Sequence, residues 1–226
     1  MLSLDANSTD DELLKIALEG FPPRNVADFL VETFFHSVEA NYYYMDRDRF
    51  RTRLERCYAE MTPESVDHDA SFVCLALIVF AMGSQFAGLR APSQLVPSLT
   101  VSKHGPGMVF YVKAKLLLSD VITTGSLESI QALFLIGLFL LPSNTSDLSY
   151  VYHGTTLKMA MAAGLHRKIV DSTGLDQRVM HVRNRLWWSL YTSERWVPPL
   201  FGANLLVNVY ADHFSLFPPL AALLLF

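Results

Sequence analysis

The residues of this 226-residue chain that could do chemistry are few and scattered. Its histidines are His36, His68, His104, His153, His166, His181 and His213, and no two share H-x-x-x-H or H-E-x-x-H spacing. No pair of imidazoles is therefore set on one helical face to hold a metal. Cys57 and Cys74 form no C-x-x-C pair, so a structural zinc site has no thiolate set to build on. Ser189 and Ser193 lie in no G-x-S-x-G elbow and have no recognisable base partner. The expectation is a non-catalytic chain with no cofactor or metal of its own.

Three basic stretches remain. "DRDRFRTRLERC" carries Arg47, Arg49, Arg51, Arg53 and Arg56, but Asp46, Asp48 and Glu55 are interleaved. A partly self-neutralised, solvated helix face explains it better than a nucleic-acid contact. "AAGLHRKIV" and "RNRLWWSLYTSERW" lie close together, from Ala162 to Val170 and from Arg183 to Trp196. They read either as a basic aromatic site or as the packed seam of a helical domain.

Composition bounds that choice. The chain is 51% hydrophobic and 12% aromatic with a net charge of −4. That is globular, and it lacks the positive excess that phosphate neutralisation demands of a self-sufficient nucleic-acid binder. Two lone thiols fit a reducing compartment and buried cysteines.

The elements that must position these residues are helical. Ser8 and Thr9 before Asp10, Asp11 and Glu12 give a capped helix start. Gly20 and Pro22-Pro23 end that helix. Val26, Phe29, Leu30, Phe34 and Val38 recur at helical spacing, and a third helix is expected from Asp46 to about Met61. Asp67 and Asp69 lead into an apolar run, followed by a Pro- and Gly-rich loop from Leu89 to Gly107. Met108 to Thr123 reads as one helix, and Ser126 caps the next, which ends before Pro142. The last two patterned helices run from about Asp147 to Leu165 and from Arg178 to Arg195. The uncharged windows Phe72–Leu89 and Ser129–Ser146 have strictly apolar cores too short for a span of roughly 20 apolar residues. They fit buried helices, and membrane insertion is not expected. No period-two alternation or Gly-rich phosphate loop is present. The fold class is all-α, a single domain of stacked antiparallel helices with an irregular apolar C-terminal tail.

On a helix, Arg183, Trp187, Leu190, Tyr191 and Glu194 fall along one stripe, with Trp188 turned about 100° away. Ala160, Ala162, Ala163 and Gly164 offer little bulk on the preceding helix, so the two tryptophans are natural fillers of the space. Trp187 and Tyr191 each carry a polar group that needs a partner, and Glu194 can supply one or pair with an arginine. The seam reading accommodates all of these residues.

The same residues carry a resemblance. Gly164-Leu165-His166-Arg167, then Arg183, Arg185, Leu186-Trp187-Trp188-Ser189-Leu190-Tyr191 and Glu194-Arg195, match the signature of the fungal-specific transcription factor domain. This is the middle regulatory region of fungal binuclear zinc-cluster activators, also called the xylanolytic-activator regulatory domain. "FLVETFFHSVEANYYYMDRDRFRTRL", "VCLALIVFAMGSQFA" and "FYVKAKLLLSDVITTGSLESIQALFLIGLFLL" resemble its earlier segments in the same order. The resemblance covers roughly Val26–Arg195.

It implies regulation of RNA-polymerase-II transcription in the nucleus and no catalytic residues. Implied partners are other transcription-machinery or regulatory proteins, another copy of the chain and a small-molecule effector. DNA and zinc belong to a separate six-cysteine module that is absent from this sequence. The signature positions carry over as packing residues only. The boundaries follow as an acidic capped helix and linker (1–25), the regulatory domain (26–195) and a hydrophobic tail (196–226).

The tail has one charged residue, Asp212, and no Gly-Arg-Pro after Glu194-Arg195, where the family continues with one. It reads as a membrane-associating end, a strand-like end or an aberrant terminus, and the chain as a fragment. The competing reading is a helical small-molecule-binding or membrane-associated protein anchored by that tail.

Overall fold

The computed structural model describes residues 4–39, 42–59, 69–88, 105–142, 146–167 and 176–200. Among them every regular element is a helix: α1 (Leu4–Leu18), α2 (Arg24–Ser37), α3 (Arg47–Ala59), α4 (Ala70–Ala87), α5 (Met108–Leu116), α6 (Leu118–Thr124), α7 (Leu127–Leu140), α8 (Ser146–Ala162) and α9 (Gln177–Leu200).

The core is built on α4 because its sequence leaves no polar face. From Phe72 to Met82 every residue is buried, and α2, α5 and α7 pack around it. By length and composition α4 could cross a membrane, but here it is wrapped by its own chain. Gly83 sets the crossing with α2: a Cβ there would lie 2.3 Å from the backbone oxygen of Leu30. Asp69 caps α4, its carboxylate accepting from the Ser71 N–H at 2.9 Å. α7 is equally apolar and packs on α4, with α8 packed on α7 and α9 on α8. Leu14 and Ala17 bring α1 into the same core, against α4 and α5.

Three expectations need correction. α1 begins at Leu4, so Ser8 and Thr9 lie inside it rather than ahead of it. Leu4, Asp5 and Ala6 sustain helix, and each further turn adds backbone hydrogen bonds to a helix already nucleated. Met108 to Thr124 is broken at Leu117, whose N–H turns back to the carbonyl of Ala114 at 3.1 Å. The buried Leu117 side chain anchors this bend, and neither Gly nor Pro marks it. Finally, α9 continues through Trp196 to Leu200, into the segment expected to be irregular. The rest of that tail, most of the Pro-rich loop, the connection 168–175 and His68, His104 and His213 lie outside the described residues.

Candidate functional site

The sequence Gly164-Leu165-His166-Arg167 is a helix stop. Gly164 has φ +72°, a left-handed conformation that costs a residue with a Cβ. Its N–H bonds the carbonyl of Met161 at 3.0 Å, and the Leu165 N–H reaches back to Ala160 at 2.9 Å. These two bonds are the Schellman pattern, and Leu165 and Ala160, whose positions often meet in that motif, are both buried. Arg167 closes the following turn onto the carbonyl of Gly164 and leaves its side chain exposed.

α9 completes the cap. The Arg183 guanidinium donates to the carbonyl of Ala163 at 2.7 Å, placing a cation at the negative end of α8. One turn on, Trp187 is 5% exposed and packs on the His166 ring at 5.7 Å. The His166 Nδ1 is buried without a partner; burial, then the neighbouring Arg167, hold this imidazole below its ordinary pKa. Leu186 and Leu190 are buried with Trp187. Trp188 is half-buried and meets Tyr191 edge-on at 5.6 Å.

One detail of the expected seam differs. Ala162 and Ala163 are exposed, so the small-residue side of the seam narrows to Ala160 and the His166 ring. The cap ends α8 there and turns those alanines outward. The Tyr191 hydroxyl takes Arg195 as its partner, with the guanidinium 4.6 Å above the ring. Glu194 is buried on the same stripe.

Arg185 faces away from α8. It lies 3.9 Å over the ring of Tyr43 in the α2–α3 connection, while Ser189 accepts the Tyr43 N–H at 2.9 Å. Ser189 thus anchors a loop. Nearby Glu39 is pushed up to about 7 by burial, an effect that Arg185 and Arg47 only partly offset. Tyr43 is likewise pushed up to about 12, mainly by burial.

A second constellation went unread in the sequence beyond its cap. Ser126 and Ser129 form the capping box of α7, and Ser129 also meets Ser71 of α4 at 2.9 Å. Glu128 bonds Arg53 at 2.7 Å and Arg49 at 3.4 Å. Arg53 extends to Asp69 at 2.8 Å. Gln131 donates to the carbonyl of Tyr44 at 2.9 Å. One turn of α7 therefore ties α3, α4 and the α2–α3 connection together. Arg47 and Arg51 both engage Glu32.

The arginines of α3 are thus neutralised largely by acids of other elements, not by those interleaved with them. Long-range pairs of this kind leave no local spacing signal. A cavity of about 20 Å³ beside Arg49, Arg53, Glu128 and Gln131 has room for about one water. Among the described residues no three His, Cys, Asp or Glu side chains converge as a metal site. The arrangement caps, packs and pairs helices.

Comparison with known proteins gives the same direction. The family model described as the fungal specific transcription factor domain matches residues 31–217. A transcriptional regulatory protein of Schizosaccharomyces pombe, described as uncharacterized, is 34% identical over 203 residues, covering 90% of this chain and 25% of that protein. The thiamine repressible genes regulatory protein thi1 of the same yeast is 29% identical, over 88% of this chain and 25% of its own length. Activator of stress genes 1 of Saccharomyces cerevisiae is 25% identical, over 80% of this chain and 18% of its own length. The chain therefore spans about a quarter or less of the curated relatives it matches. No solved structure matches.

Proposed function

The chain belongs to the fungal specific transcription factor domain family, and on that premise we propose that it is the regulatory domain of a nuclear RNA-polymerase-II transcription factor. The observation that carries the reading is the family match over residues 31–217. The helical body agrees with it, because its signature residues build caps and seams. The role is non-catalytic: a platform on which regulatory or transcription-machinery proteins are received. It needs no cofactor of its own, and DNA reading with its zinc belongs to a separate module. Arg47, Arg49, Arg51 and Arg53 support that division, since acids of the same body neutralise them.

A tethering assay tests the reading. The 226-residue chain is placed between a heterologous DNA-binding module and an activation segment in yeast. Reporter output is expected to change relative to the same fusion without it, at equal protein level. Unchanged output overturns the proposal.

A further inference from the structure

α8 and the cap that ends it touch their two neighbours through a histidine on each side. Toward α7, the ring of His153 sits in a notch at Gly137, where a Cβ would come within 2.5 Å of Nδ1. Nδ1 is 3.0 Å from the carbonyl of Ser149, which fixes it as the protonated nitrogen. Nε2 is then a bare lone pair. It is buried without a partner, on a side chain 5% exposed, with the edge of Phe134 at 5.8 Å between ring centres. Toward α9, His166 packs on Trp187, and its Nδ1 is likewise buried without a partner. Placed on Nε2 of His153 or on Nδ1 of the half-buried His166, the second proton of the imidazolium would be an N–H buried without an acceptor, which is costly in a packed interior.

Among the described residues the surrounding charges do not compensate. α7 faces His153 with Phe134 and Gly137, and its one charged residue, Glu128, is bound to Arg53 and Arg49. α4, behind α7, carries no charge. On α8 itself, Asp147 and Lys158 lie more than a turn away, and Tyr152 pairs with Tyr111. Beside His166 stand the cations Arg167 and Arg183, the latter committed to Ala163. The buried Glu194 is two turns beyond Trp187 along α9.

We infer that α8 is an acid-operated latch: both histidines must be neutral for it to seat, and protonating His153 and His166 releases it from α7 and α9. The inference goes beyond the regulatory role and does not rest on it. Both imidazoles are held below their ordinary pKa by burial, in agreement with the geometry. The window opens below the unfolded value of 6.5. There the released state takes up protons that the seated state refuses, so each histidine multiplies opening by about tenfold per pH unit.

Hydrogen exchange of the 226-residue chain between pH 7.5 and pH 5.5, corrected for intrinsic exchange, reads the opening. In the wild type, opening of the α8 amides is expected to rise about a hundredfold per pH unit where both protons are taken up, while α4 stays protected. His153→Gln and His166→Gln each lower that slope to about tenfold, and the double variant abolishes it. A wild-type slope of zero, or a slope unchanged in both single variants, overturns the latch. Nitrogen-15 NMR of the wild-type imidazoles does not depend on the variants folding. His153 is expected as the Nδ1–H tautomer, titrating below 6.5. Titration at or above that value overturns the latch.

Discussion

The guanidinium of Arg183 ends 2.7 Å from the carbonyl oxygen of Ala163, so the last described helix caps the one before it across the connection between them. Arg183→Met keeps the aliphatic stem and removes the donors. It is expected to cost about 1 kcal/mol, the usual worth of a cation at a helix C-terminus. Gly164→Ala, at φ +72°, is expected to cost roughly 1–2 kcal/mol through strain at the same cap. Urea denaturation of the two single variants and the double variant checks both values. Full additivity in the double would show that the arginine and the glycine do not stabilise one cap.

Trp187 fills the space that the cap creates. Trp187→Ala is expected to lose about 3–5 kcal/mol, since the residue is 5% exposed and has Leu186 and Leu190 beside it. Trp188→Ala should lose clearly less, because that ring is half-buried. Thermal unfolding of the two variants side by side decides the order, and equal losses would contradict the seam.

The sequence made this seam legible because its large residues are local and periodic. Trp187, Leu190, Tyr191 and Glu194 share a stripe that helical spacing alone reveals. The turning-out of Ala162 and Ala163 was not legible, because it follows from the cap geometry at Gly164. α8 shows the limit more clearly. Its stripe toward α7 is Ser149, His153, Thr156, Leu157 and Ala160, buried but mostly small or polar. A pattern read by apolar spacing passes over it. The same holds for Glu128 and Gln131, whose partners lie on α3 and in the α2–α3 connection.

Gly83 allows α2 to cross α4 in contact. Gly83→Ala would place its Cβ 2.3 Å from the Leu30 oxygen, against backbone that cannot rotate away. The expected loss is about 3 kcal/mol, at the upper end for overpacking. Gly88→Ala, with open space around it, should be close to neutral and serves as the control. Denaturant midpoints that coincide for the two variants would rule out the close crossing.

Glu39 provides a pH dependence opposite in sign to that of the histidines. Its carboxyl is raised from 4.5 to about 7 in the folded chain, chiefly by burial. Between those values the folded state holds a proton that the unfolded state has lost. Stability from this group therefore falls as pH rises from 4.5 through 7 and is fully lost above that window. Glu39→Gln removes the dependence. The variant should gain stability over wild type at pH 8 relative to the same comparison at pH 5, measured by chemical denaturation. An equal difference at both pH values would mean that Glu39 is solvated like an ordinary surface acid.

Glu128 and Arg53 test how the second constellation holds α3 to α7. Their oxygen and nitrogen lie 2.7 Å apart, and the carboxylate side chain is 14% exposed against 30% for the arginine. A pair this sheltered should couple more strongly than a surface ion pair, yet solvent still screens its arginine end. A double-mutant cycle of Glu128→Gln and Arg53→Met is expected to give a coupling of about 1 kcal/mol. Glu128→Gln alone should cost more than Arg53→Met. The first leaves two arginines, Arg49 and Arg53, without their shared carboxylate, whereas the second leaves Glu128 still bonded to Arg49. Raising the salt concentration should shrink the coupling, since part of the pair is open to solvent. A coupling near zero at low salt would place Glu128 among the surface acids and leave Ser129 and Gln131 as the ties between α7 and its neighbours.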